Sequence, residues 1–151
     1  MPVVAVIDTN VLVSAFINPH GYPAQVVEAA RTGCFILIIS QPLQNELQEV
    51  LVRPRVLRAS KSSTTDTEQF IQFVIELAQS VEITDRLRLC RDKDDDMVPE
   101  TAIAGHATHV VSRDGDIVCS PDLTRQFETH GIRVMTVSRF LRETESESPI
   151  P

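Results

Sequence analysis

The amino-acid sequence predicts an α/β fold built on a central parallel sheet with helices on both faces. Two runs carry that expectation, Val3 to Ile7 ("VVAVI") and Phe35 to Ile39 ("FILII"). Both are apolar at every position rather than at alternate ones. A strand shows that pattern when both of its faces are buried, as in a parallel sheet. The second observation is alternation. Helical patterns separate these runs from three weaker strand candidates, Val81 to Thr84, His109 to Ser112 and Ile132 to Thr136. Strands alternating with helices build a parallel sheet sandwiched between helical layers.

The helices follow in chain order. Thr9 to Phe16 is a short one. Pro23 to Thr32 is better marked, with Gly33 as its stop. Ser40 caps a helix expected to run through Arg53. Thr65 and Glu68 have the spacing of a capping box for a helix to about Ser80. Asp96 to Ala104 comes next, and Ser120–Pro121 opens another that Gly131 ends. A last helix spans Ser138 to Arg142, ahead of the polar tail "ETESESPIP". One domain over residues 1–143 and a disordered tail over 144–151 are expected.

Bulk composition narrows the class. The chain has 151 residues, enough for one core, with 42 % hydrophobic and 23 % charged residues. No apolar run approaches the ~20 residues of a membrane helix. Asp8 interrupts the apolar start that a signal peptide would need. The three cysteines, Cys34, Cys90 and Cys119, are odd in number and widely spaced, which argues for a reducing compartment and structural thiols. A cytoplasmic location is expected. The net charge of −7 opposes non-specific nucleic-acid binding by overall field. Twelve of the fourteen basic residues are arginine, and they cluster at Arg53, Arg55, Arg58 and Lys61 and at Arg86, Arg88, Arg91 and Lys93. Arginine's planar fork suits phosphate oxygens. Solvated surface with ion pairs is the competing reading for either cluster.

Ligands of open parallel sheets bind outside the carboxyl ends of the strands. Carboxylates recur at those positions. Asp8 follows the first strand, and Asp114 and Asp116 follow "VVS". The stretch "CRDKDDDMVPE", Cys90 to Glu100, places five acids in eleven residues and leads into a helix at Asp96. A single Asp after a strand reads equally as a helix N-cap. Glu46 is more telling. In "SQPLQNELQEVLVRP" it falls within the apolar stripe of Leu43, Leu47, Val50 and Leu51. A buried glutamate needs a partner. Glu49 falls on the outward side and reads as surface.

If Asp8, Glu46, Asp96, Asp114 and Asp116 converge, their repulsion is severe. Two unit charges ~4 Å apart repel by ~4 kcal/mol at an effective dielectric of ~20. A divalent cation removes the conflict, and all-oxygen ligation favours magnesium or manganese over zinc. Asp95 is the alternative to Asp96, and Asp92 and Asp94 read as a solvated approach loop. Pro99 is tolerated if Asp96 is the N-cap, because Pro99 then lies in the first turn.

Taken together, "VIDTNVLVSAF", "SQPLQNELQEVLVRP", "RDKDDDMVPETAIAGHATHVVSRDGDIV" and "GIRVMTVSRFL" resemble the PIN-domain family in order and spacing. The likeness is greatest to the branch described as toxin components of toxin–antitoxin pairs. It covers nearly the whole chain except the tail. It implies a Rossmann-like α/β/α sandwich and a magnesium- or manganese-dependent endoribonuclease. It also implies Asp8, Glu46, Asp96 and Asp114 as the family acids, Asp116 as a less constant fifth, and Thr9, Asn10 and Ser112 as supporting residues. RNA is the implied substrate, an antitoxin protein the implied partner, and a homodimer the implied assembly. Arg53, Arg55 and Arg88 are candidate phosphate contacts. Lys93 and Pro99 depart from the family pattern without removing a ligand.

The rival readings are weaker. A phosphoaspartyl enzyme needs a second Asp two residues after the first, where Asn10 stands. A phospho-receiver needs a late Lys, and the chain has only Lys61 and Lys93. An inactive PIN-like module acting through a partner is the remaining alternative. His20, His106, His109 and His130 read as surface or satisfied side chains.

Overall fold

A computed structural model describes residues 2–83, 97–113 and 121–145. Five strands alternate with eight helices along them. They are β1 (Val4–Ile7), α1 (Thr9–Ile17), α2 (Tyr22–Arg31), β2 (Ile36–Ser40), α3 (Gln41–Leu51), α4 (Pro54–Ser60) and α5 (Thr64–Leu77). Then come β3 (Gln79–Val81), α6 (Met97–Ala104), β4 (His109–Ser112), α7 (Pro121–Thr129), β5 (Arg133–Thr136) and α8 (Val137–Glu145).

The strands form one sheet in the order β3-β2-β1-β4-β5, and every pairing is parallel. The predicted architecture holds. Crossovers between parallel strands are right-handed. The chain steps one way along the sheet from β1 to β3 and the other way from β3 to β5, so α1–α5 cover one face and α6 and α7 the other. The order reverses at β1, which pairs with β2 on one side and β4 on the other. Crevices open at such a reversal, outside the carboxyl ends of the strands.

Burial explains the apolar runs. Ala5, Val6, Val110 and Val111 are fully buried at the centre of the sheet. Phe140 of α8 is also fully buried and meets Phe35 edge-on, with ring centroids 4.9 Å apart.

Element ends differ from expectation where local chemistry overrides pattern. The helix expected to run to Arg53 stops at Leu51. Arg53 precedes a proline, which disfavours its helical conformation, and it is extended at φ −64°, ψ 136°. Pro54 then opens α4, which the pattern did not separate. The capping box forms at Ser63 and Asp66, not at Thr65 and Glu68. Ser63 Oγ accepts the Asp66 amide at 3.2 Å, and the Asp66 carboxylate accepts the Ser63 amide at 3.0 Å. The third strand lies two residues early, at Gln79–Val81. It is an edge strand paired only with β2, so it lacks the continuous apolar signature. The last helix continues past Arg142 to Glu145, and Thr144 in it is buried. Residues 146–151 lie outside the described residues.

Gly33 and Gly131 adopt left-handed φ values of 84° and 70°, as helix-ending glycines should. The end of α6 is different. There His106 carries the left-handed φ of 53°. The adjacent Gly105 serves packing instead, since a Cβ on it would stand 2.5 Å from Ile38 Cδ1 and 3.0 Å from Val81 Cγ2.

Candidate active site

The cleft lies between α1, α3, the start of α4 and the residues that flank the ends of β4 and α6. Its volume is about 790 Å³. α1 contributes Asn10 and Ser14, and α3 contributes Asn45, Glu46 and Glu49. Arg53 and Arg55 line it at the entry to α4, and Val13, Ile17, Val50 and Val56 supply apolar surface. Met97 and Arg113 complete the lining.

α3 presents Glu46 because its other face is occupied. Leu43, Leu47 and Leu51 are buried in the core. Glu46 lies beside that stripe and is half-buried, at its edge and not within it as helical spacing suggested. Glu49 corrects an expectation. It is exposed, as predicted, yet it shares the cleft with Glu46 and lies 3.6 Å from Arg53 Nη2.

Asp8 stands at the end of β1, at the N-cap position of α1. A capping role would send its carboxylate to the amides of the first turn. Its side chain makes no such bond. Its backbone does the local work: the Asp8 carbonyl accepts the Val11 and Leu12 amides at 2.9 and 3.3 Å, and its own amide donates to Val111 O at 2.9 Å. Asp8 is half-buried next to the cleft-lining helix, although it is not itself a lining residue. Of the supporting residues, Thr9 is buried at the head of α1, Asn10 lines the cleft, and Ser112 is buried at the end of β4.

Asp95, Asp96, Asp114 and Asp116 lie outside the described residues, as does the whole Arg86–Lys93 cluster with Arg88. Met97 directly follows Asp96 and Arg113 directly precedes Asp114, and both line the cleft. Among the described residues α6 starts at Met97 and Pro99 is its third residue, while Asp96, on which the expected N-cap rests, lies outside them. Among the described residues no group of three or more His, Cys, Asp or Glu side chains is close enough to hold a metal ion.

The path of α6 past this edge is held by hydroxyls. Thr101 Oγ1 lies 2.7 Å from Ser40 Oγ and 2.6 Å from Met97 O. Thr101 is the donor, with Ser40 Oγ and Met97 O both within reach of its one hydroxyl proton. Both side chains are fully buried. Ser40 ends β2 and precedes α3, which carries Glu46. One buried relay therefore ties the start of α6 to the start of the Glu46 helix.

The sequence reading gave no role to Glu49, Arg113, Asn45 or Glu100. Glu100 is buried in α6. Its signal was available, since it follows Asp96 by one helical turn. Arg113 carried no periodic signal, because it belongs to the turn after β4. His109 is a satisfied core histidine at the amino end of β4, away from the cleft. Its Nδ1 lies 2.7 Å from Thr108 Oγ1, and its Nε2 lies 3.6 Å from Glu143 Oε2.

Residues 4–116 match the family model described as PIN domain. The chain belongs to the PIN-domain family. An uncharacterized protein of Methanocaldococcus jannaschii is 24 % identical over 142 residues, covering 93 % of this chain and 90 % of that protein. A chain of the crystal structure of VapBC2 from Rickettsia felis, bound to a DNA fragment from its promoter, superposes with a TM-score of 0.52. That match covers 88 % of this PIN-domain chain and 98 % of the other at 16 % identity. It bears on the fold alone. No helix among the described residues is long and apolar enough to cross a membrane.

Proposed function

We propose that the protein is a metal-dependent ribonuclease that hydrolyses RNA phosphodiester bonds at this cleft. The observation that carries the reading is an adjacency. Glu46 lines a cleft together with Met97 and Arg113, which adjoin Asp96 and Asp114 in sequence, and Asp8 closes the neighbouring strand without capping its helix. These donors are all carboxylate oxygens, which fits a hard cation such as magnesium or manganese. Asp8, Glu46, Asp96 and Asp114 would hold it, with Asp116 available to a second ion. A bound cation supplies charge neutralisation at the phosphate and a more acidic water.

The chain's own residues supply position. Asn10 offers an amide to the cleft for a phosphate or sugar oxygen. Thr9 and Ser112, both buried, hold the carboxyl ends of β1 and β4. The resemblance of its motifs to the toxin branch of the PIN-domain family supports a cytoplasmic toxin that meets an antitoxin partner and self-associates. The domain is taken to extend through α8 to Glu145, two residues past the expected boundary at 143, because Thr144 is buried in that helix.

The test is cleavage of end-labelled RNAs by purified protein with magnesium, with manganese and with chelator, beside Asp8→Asn. Metal-dependent cleavage that Asp8→Asn abolishes is expected. Metal binding with no cleavage of any RNA would instead identify an inactive binding module.

A further inference from the structure

The chain as a whole carries −7, yet arginines stand among the described lining residues of the cleft. Three arginines, Arg53, Arg55 and Arg113, line it against two described glutamates, Glu46 and Glu49. Glu49 and Arg53 face each other at 3.6 Å as an i,i+4 pair, with side chains 75 % and 53 % exposed. Such a pair contributes little to stability because water screens it. Arg55 makes no ion pair or hydrogen bond among the described residues. A planar fork of this kind accepts phosphate oxygens in a bidentate manner.

We infer that the Glu49–Arg53 pair is a displaceable gate, and that a backbone phosphate of single-stranded RNA takes Glu49's place on Arg53, with Arg55 and Arg113 completing the subsite. This inference rests on the ribonuclease reading for its ligand class. It adds a division of labour to that reading. Glu46 faces the cation and the reacting phosphate, while the arginines hold a phosphate further along the strand. Glu49 is then a specificity residue. It competes with the phosphate for Arg53 by the modest amount that such an exposed pair is worth. Single strands suit the cleft because their backbone can bend into it, whereas a duplex presents a stiff, fixed phosphate spacing.

The test is fluorescence anisotropy of a 5′-labelled oligouridine against the full chain in chelator, across a salt series. The probe's integrity is checked on a gel. Each lost phosphate contact should flatten the log–log salt slope by about 0.7 for a single strand. Arg55→Ala is expected to flatten it by about that amount and weaken binding roughly three- to tenfold. Arg55→Lys should retain the slope. Glu49→Gln should bind roughly two- to fivefold tighter, because the competing carboxylate is gone. An unchanged slope in Arg55→Ala overturns the subsite. Unchanged or weaker binding in Glu49→Gln overturns the gate. The readout needs no turnover, so these slopes would survive a failure of the ribonuclease reading. A loss of the slopes would equally leave cleavage standing.

Discussion

The backbone amide of Asp8 donates to the carbonyl of Val111 at 2.9 Å, which holds the carboxyl end of β1 beside that of β4. The bond is made by the main chain. Asp8→Asn therefore keeps it and should fold with a melting temperature close to that of the parent in chelator. The variant's loss should appear only with metal, as cleavage reduced by about a hundredfold or more. A large drop in metal-free stability would mean that the carboxylate is structural.

Glu46 and Glu49 sit on one helix and line one cleft, yet their roles should separate. A cation at a hundred times its Kd stabilises by about 2.7 kcal/mol, which is a rise of roughly 5–10 °C for a domain of this size. Glu46→Gln should blunt most of that rise in a manganese titration followed by thermal unfolding. Glu49→Gln should leave it intact. Equal responses from the two variants would contradict the assignment of Glu46 as a ligand.

Gly105 and His106 should respond in opposite directions. Ala at Gly105 would push a Cβ against Ile38 and Val81 of the sheet, at a cost of about 1–3 kcal/mol. Gly at His106 would relieve a left-handed residue and should stabilise by roughly 1 kcal/mol. Urea unfolding of both variants checks the pair, and stabilisation by Gly105→Ala would show that the sheet yields there.

Thr101→Val keeps the shape and removes the hydroxyl relay. It leaves Ser40 Oγ buried without its partner, so a loss of about 1–3 kcal/mol is expected. Because the relay orients α6 beside α3, cleavage should fall as well. Cleavage kept at the parent rate, below the melting range of the variant, would limit Thr101 to stability.

How much of this was legible beforehand depends on how local the cause is. β1 and β2 could be read to within a residue, because burial on both faces demands an unbroken apolar run, and β4 was found from its weaker signal. β3 slipped because an edge strand makes no such demand. The α3–α4 break was written in Pro54, and its effect on Arg53 is a local steric one. Helical spacing put Glu46 in the apolar stripe, and the structure moved it to the stripe's edge.

Tertiary structure decided the rest. Nothing in the local sequence tells an N-cap aspartate from one whose side chain is spent elsewhere, and the absent cap bond at Asp8 separates the two. Nor does helical phase show that Glu49, on the outward side, meets a cleft walled by α4. Arg113 joins that wall only because β4 lies next to β1, more than a hundred residues apart in the chain. Amino-acid sequence determined the elements and the family, since propensity and periodicity act over a few residues. The company each charge keeps was set by strand order, since electrostatic partners are chosen by distance in space.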